Sequence, residues 1–118
     1  MSEAINESIN ESMKPQDVQA RLGDEDAPFL LDVRSPEEYA AGHVPGAVNI
    51  PVDEMDARLG EIPRDRPVVP YCNMQHPGNS RGERVTALLL ARGYEARVLD
   101  GGFLKWQEEE LPTDKGER

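Results

Sequence analysis

The chain has one cysteine, Cys72, in 118 residues. A lone cysteine excludes an internal disulfide framework. It leaves three readings of that residue: a small buried hydrophobe, a metal ligand or a reactive thiol. No stretch approaches the ~20 apolar residues that a membrane helix needs. The start, Met-Ser-Glu-Ala-Ile-Asn, lacks the basic and apolar regions of a secretory signal. The expected setting is therefore a reducing cytoplasm, where a reactive thiol persists. Positive charge is short as well: 13 Lys and Arg face 23 Asp and Glu, for a net charge of −10. Such a surface repels nucleic acid and anionic membranes, so neither is expected as a partner. No nucleotide-type glycine loop or dinucleotide fingerprint is visible, and no cofactor is expected.

The length suits one domain with its own core. The scarce positive charge is concentrated. From Arg64 to Arg97 six arginines (64, 66, 81, 84, 92 and 97) face three acids (Asp65, Glu83 and Glu95). That is a local surplus of three, in the stretch that holds Cys72. A site for a small anion and chance clustering on solvated helix faces both account for it.

Turn residues and hydrophobic periodicity divide the chain. Residues 1–13, with the repeat Ile5-Asn6-Glu7-Ser8 and Ile9-Asn10-Glu11-Ser12, read as a flexible acidic tail. A domain over 14–112 and a polar tail over 113–118 follow. Within the domain, helices are expected from Pro15 to Leu22, from Pro36 until Gly42, from Asp53 to Leu59 and from Asn79 to Ala91, with a last one carrying Phe103 and Trp106. Ser35 caps the second of these, and its first-turn acids complement the helix dipole. Strands are expected at Phe29–Val33, Ala47–Ile50, Pro67–Tyr71 and Ala96–Leu99. Pro70 has no ladder donor, which implies an edge or terminal position for its strand. Alternating strands and helices indicate an α/β fold with a mainly parallel sheet, and ligands of such sheets gather at the carboxyl ends of strands. Cys72 follows a strand at that end.

The segment from Tyr71 to Arg84 runs strand, cysteine, glycine-containing loop, helix start. Loop N–H groups that curl around a point form an anion nest, and a helix N-terminus adds unpaired donors and partial positive charge. With Arg81, and Arg84 beyond it, these groups favour a thiolate, which is the nucleophilic form. The loop candidates for holding a substrate are Asn73, Met74, Gln75, His76, Gly78, Asn79 and Ser80. His76 either positions substrate, tunes the thiol or acts as an acid, or else only scaffolds the loop. His43, in a helix-to-strand turn, is expected to bond backbone. Asp32 and Arg34 are expected to form a structural pair, Phe103 and Trp106 to be core, and Glu108-Glu109-Glu110 to be a solvated face. Cys72, His43 and His76 form a weak metal signal, with no second cysteine to support it.

Asp32-Val33-Arg34-Ser35-Pro36-Glu37-Glu38-Tyr39 and Gly42-His43-Val44-Pro45-Gly46-Ala47-Val48-Asn49-Ile50-Pro51 resemble the two amino-terminal signatures of rhodanese-like domains. Gly93-Tyr94 and the run from Val98 to Trp106 resemble the carboxyl-terminal one. The resemblance covers about Pro15 to Pro112. It implies a three-layer α/β fold with about five mainly parallel strands between helices, and transfer of sulfane sulfur by a ping-pong route. Cys72 would carry the sulfur as a persulfide, and Arg81 would match the loop-closing arginine. The implied partners are a small anionic donor, such as thiosulfate or a persulfide, and a thiol or cyanide-like acceptor.

The loop departs from that pattern. Single-domain sulfurtransferases resemble Cys-x4-Arg and the related dual-specificity phosphatases Cys-x5-Arg, whereas this chain has Cys-x8-Arg. Four extra residues do not form the same tight cradle. A wider pocket, one that admits a larger donor or acceptor, and one collapsed in the free chain remain open. Two other functions also remain: a non-catalytic binding or sensing module on the same fold, and a phosphatase or arsenate-reductase-like enzyme of oxyanions.

Overall fold

The computed structural model describes residues 12–74 and 80–116. Strand β1 (Ser12–Met13) leads into helix α1 (Pro15–Arg21), β2 (Phe29–Asp32) into α2 (Pro36–Ala41), and β3 (Val48–Asn49) into a short helical stretch. That stretch comprises a 3-10 turn (Val52–Glu54), α3 (Met55–Arg58) and a second 3-10 turn (Leu59–Glu61). Then come β4 (Val68–Tyr71), α4 (Arg81–Ala91), β5 (Val98–Leu99) and α5 (Gly102–Glu108). The ladders are all parallel: β2 lies between β3 and β4, and β1 pairs with β5.

Pro70 explains why the two ladders are only loosely joined. Val68 donates its N–H to Glu95 O at 2.8 Å and accepts the Arg97 N–H at 3.0 Å, which makes a single parallel bridge to Ala96. In a parallel ladder the next donor on this side of β4 is residue 70, and proline has none. The described strands therefore lie in the order β1, β5, β4, β2, β3, with a gap at Pro70. The expectation of an edge position is corrected: β4 is central, and the proline is tolerated because its missing N–H faces the interrupted seam.

Side chains alternate across the sheet, as a strand period of two requires. Leu31, Val68 and Cys72 pack with Met55, Val85 and Leu89 on one face. Leu30, Val69 and Tyr71 pack with Val18, Phe103 and Trp106 on the other. Phe103 and Trp106 are core residues, as expected.

Both tail boundaries shift. Residues 1–11 lie outside the described residues, but Ser12 and Met13 pair with Val98 and Leu99, and Met13 packs against the core. A two-residue strand has too little periodicity to show in a sequence. At the other end, Asp114 exchanges two backbone hydrogen bonds with His43, each 2.9 Å, and Gly116 donates to Ala40 O. Residues 113–116 are polar but docked, and Pro112 O accepts the Trp106 indole N–H at 2.7 Å.

A buried ion pair ties the carboxyl end of the sheet together. Asp32 and Arg34 are 0 % and 3 % exposed. Arg34 donates from Nη2 to Asp32 Oδ2 at 2.7 Å and from Nε to Oδ1 at 3.0 Å, and its backbone N–H also reaches Oδ1 at 2.9 Å. The same guanidinium donates to Gly42 O at 2.7 Å and lies over the Phe103 ring, 4.5 Å from its centroid. Burial works against the charge on Arg34, but the Asp32 carboxylate, aided by Tyr71 and Glu38, more than offsets it, so Arg34 stays charged. The geometry matches the structural pair expected for these residues. Asp32→Ala leaves a buried, uncompensated guanidinium, and urea unfolding should show a loss of about 3–5 kcal/mol.

Candidate active site

Cys72 follows β4 directly, at the carboxyl end of the sheet, and is 6 % exposed. Its sulfur belongs to the face that packs on α4. That helix comes close because its first turn carries Gly82: a Cβ there would lie 3.3 Å from Tyr71 Cα and 3.4 Å from Cys72 N. The positive end of α4 is thereby set against the Cys72 backbone. Ser80 caps α4, beginning it two residues later than Asn79. Its Oγ accepts the Glu83 N–H at 3.0 Å, and Glu83 Oε1 accepts the Ser80 N–H at 3.2 Å. Ser80 is 4 % exposed, so its hydroxyl is committed to the cap.

A second helix start grips the other side of the cysteine. Phe103 donates its N–H to Cys72 O and Leu104 donates to Asn73 O, both at 2.8 Å. Gly102 makes this possible. It has φ +67°, and a Cβ there would sit 2.8 Å from both carbonyl oxygens. The Cys72 thiol itself donates to Met74 O at 2.9 Å. A sulfur anion has no proton to give, so nucleophilic chemistry requires that this carbonyl no longer face the sulfur.

Asn73 is a connector. Its Oδ1 accepts from Arg34 Nη1 at 3.0 Å, and its amide nitrogen donates to Glu38 Oε2 at 2.6 Å. Both ends of its side chain are occupied within the fold. Glu38 Oε1 accepts the Ser35 N–H at 3.0 Å, completing the cap of α2, and lies 3.6 Å from Arg81 Nη1. Burial pushes the Glu38 carboxyl up, but the Ser35 N–H, the Asn73 amide and the Arg81 charge together hold it below its ordinary value. Arg81 stands on the first turn of α4 with its side chain 34 % exposed. Met74 is 40 % exposed beside the cysteine.

Cys72, Asn73, Met74, Ser80 and Arg81 therefore gather at one end of the sheet. Gln75, His76, Gly78 and Asn79 lie outside the described residues. His43 is elsewhere: it stacks on Tyr39, with ring centroids 3.8 Å apart, and its Nδ1 lies 2.8 Å from Tyr39 O. That is the backbone-bonding position expected for it. A concavity of about 680 Å³ between α2 and β3 includes His43, Tyr39 and Asp114 among its lining residues, and Cys72 is not among them.

Glu38 and Gly102 were not singled out as site residues in the sequence. Glu38 had a signal, the Ser35-x-x-Glu38 capping box, which puts its carboxylate on the helix that follows β2. The carboxyl ends of β2 and β4 are neighbours, so such a residue faces the cysteine loop.

A family profile described as Rhodanese-like domain matches residues 14–109. The chain is 36 % identical over 110 residues to a sulfurtransferase of Allochromatium vinosum, covering 92 % of this chain and 94 % of that protein. It is 38 % identical over 96 residues to the human thiosulfate:glutathione sulfurtransferase, covering 69 % of this chain and 80 % of the human protein. A segment of 89 residues is 45 % identical to the HTH-type transcriptional regulator Rv0324 of Mycobacterium tuberculosis, covering 74 % of this chain but only 38 % of the regulator. Among solved structures, the rhodanese-related protein of Thermoplasma volcanium superposes with a TM-score of 0.73 at 27 % identity, covering 87 % of this chain and 96 % of that one. The chain belongs to the rhodanese-like domain family.

Proposed function

We propose that this protein is a sulfurtransferase that moves sulfane sulfur through a persulfide on Cys72. One observation carries the reading. The chain's single cysteine stands at the carboxyl end of a central strand, held between the first turns of α4 and α5. Likeness to sulfurtransferases along most of the chain supports it.

In the proposed cycle the Cys72 thiolate attacks the outer sulfur of a donor. With thiosulfate, an S–S bond forms on Cys72, the donor's own S–S bond breaks, and sulfite leaves with the electron pair. The persulfide anion then gives its outer sulfur to a thiophilic acceptor; with cyanide the products are thiocyanate and the Cys72 thiolate. Arg81 binds the anionic donor, and the positive end of α4 stabilises the sulfur anion at each stage. Met74 borders the sulfur. Gln75, His76, Gly78, Asn79 and the backbone at Ser80 are proposed to complete the donor pocket. Asn73 acts by position, through Arg34 and Glu38. The free thiol that starts this cycle suits a reducing cytoplasm. No helix among the described residues is long and apolar enough to cross a membrane.

A binding or sensing module is the second reading. It is favoured by the thiol's hydrogen bond to Met74 O, which ties the sulfur in its protonated form. Intact-protein mass spectrometry separates the two. Incubation with thiosulfate, polysulfide or glutathione persulfide should add one sulfur atom, which cyanide removes and which Cys72→Ser never gains. No added sulfur from any of these donors leaves the binding module as the function. Arg81→Met should raise KM for thiosulfate by about 10- to 100-fold, the worth of a charge-assisted hydrogen bond, while the protein still folds. Steady-state thiocyanate formation measures this.

A further inference from the structure

Glu38 does more than a helix cap requires. The cap of α2 uses one oxygen, which accepts the Ser35 N–H, and glutamine fills this place in capping boxes as well as glutamate does. A carboxylate instead sets a full negative charge beside both ends of the loop that holds Cys72. One oxygen takes the amide of Asn73, directly after the cysteine; the other lies 3.6 Å from Arg81, on the first turn of α4. Arg34, the cation bonded to Asn73 Oδ1, is already neutralised by Asp32. Arg81 is thus the cation for which Glu38 and an incoming anion compete.

We propose that Glu38 is a positioning residue that sets donor specificity: its carboxylate occupies Arg81 until an anionic sulfur donor displaces it, while its other oxygen holds Asn73 beside Cys72. This rests on the assignment of Arg81 and Cys72 to sulfur transfer. The competition is of the right strength. Both side chains are about one third exposed, and pairs of this kind shift an equilibrium by no more than about fivefold. A donor with two negative charges near the reacting sulfur displaces the carboxylate, whereas an uncharged donor gains nothing from Arg81. The carboxylate therefore raises KM for doubly charged donors and narrows their advantage over uncharged ones, which is how it sets donor specificity.

Glu38→Gln keeps the capping acceptor but removes the charge and the oxygen that accepts from the Asn73 amide. It should lower KM for thiosulfate by about three- to fivefold through the freed Arg81, and any fall in kcat reads the lost hold on Asn73. In an Arg81→Met background the same substitution should leave KM unchanged, because the competitor has lost its target. Glu38→Asp keeps the charge and should stay closer to the parent than Glu38→Gln does. A second readout needs no sulfur transfer: inorganic sulfate protecting Cys72 from alkylation by iodoacetamide. Its midpoint should fall by the same factor in Glu38→Gln, and only when Arg81 is present. Should Cys72 never acquire sulfur while this sulfate shift occurs, the transfer reading fails and the Glu38 assignment stands. An unchanged or higher sulfate midpoint in folded Glu38→Gln overturns the proposal. An equal shift without Arg81, or Glu38→Asp behaving like Glu38→Gln, does the same.

Discussion

The buried pair of Asp32 and Arg34 is the constraint on which the candidate site depends. Two charges removed from water are tolerable only if every donor and acceptor is matched, and here the match extends beyond the pair. Arg34 satisfies the carboxyl end of α2 through Gly42 O, stacks on Phe103 of α5 and anchors Asn73 beside the cysteine. One guanidinium thus ties β2, α2, α5 and the cysteine loop together. The loop's first residue is held by charge-assisted hydrogen bonds of its side chain as well as by its backbone bond to α5.

Two glycines provide the close approaches that charge alone would not. Gly82 lets α4 rest on the backbone of Tyr71 and Cys72, and Gly102 lets α5 reach the carbonyls of Cys72 and Asn73. In both places a side chain would occupy space that backbone already fills. The result is a cysteine whose main chain is clamped on two sides. Its sulfur faces α4.

The layered α/β fold was legible because its signals are local. Ser35-Pro36 opens α2, the apolar stripe of Val85 and Leu89 defines α4, and the run at Phe29–Leu31 reads as a buried strand. The place of Cys72 directly after a strand was legible, and so was the pairing of Asp32 with Arg34. Three features were not. The strand at Ser12–Met13 is too short to have a period, the docking of residues 113–116 depends on His43 far away in sequence, and the place of β4 depends on which neighbour faces the proline. Each is a pairing between distant segments, and pairing leaves no mark on local composition.

The sequence by itself determined the order of the elements, the single nucleophile candidate and the excess of negative charge, since these are properties of residue identity and spacing. Tertiary structure alone decided the partners. It set Glu38 against Arg81, committed Ser80 to a cap and both ends of the Asn73 side chain to Arg34 and Glu38, and turned the Met74 carbonyl toward the thiol. A hydrogen bond or ion pair acts over a few ångströms, and which groups come that close is settled by how the chain packs, not by where they lie along it.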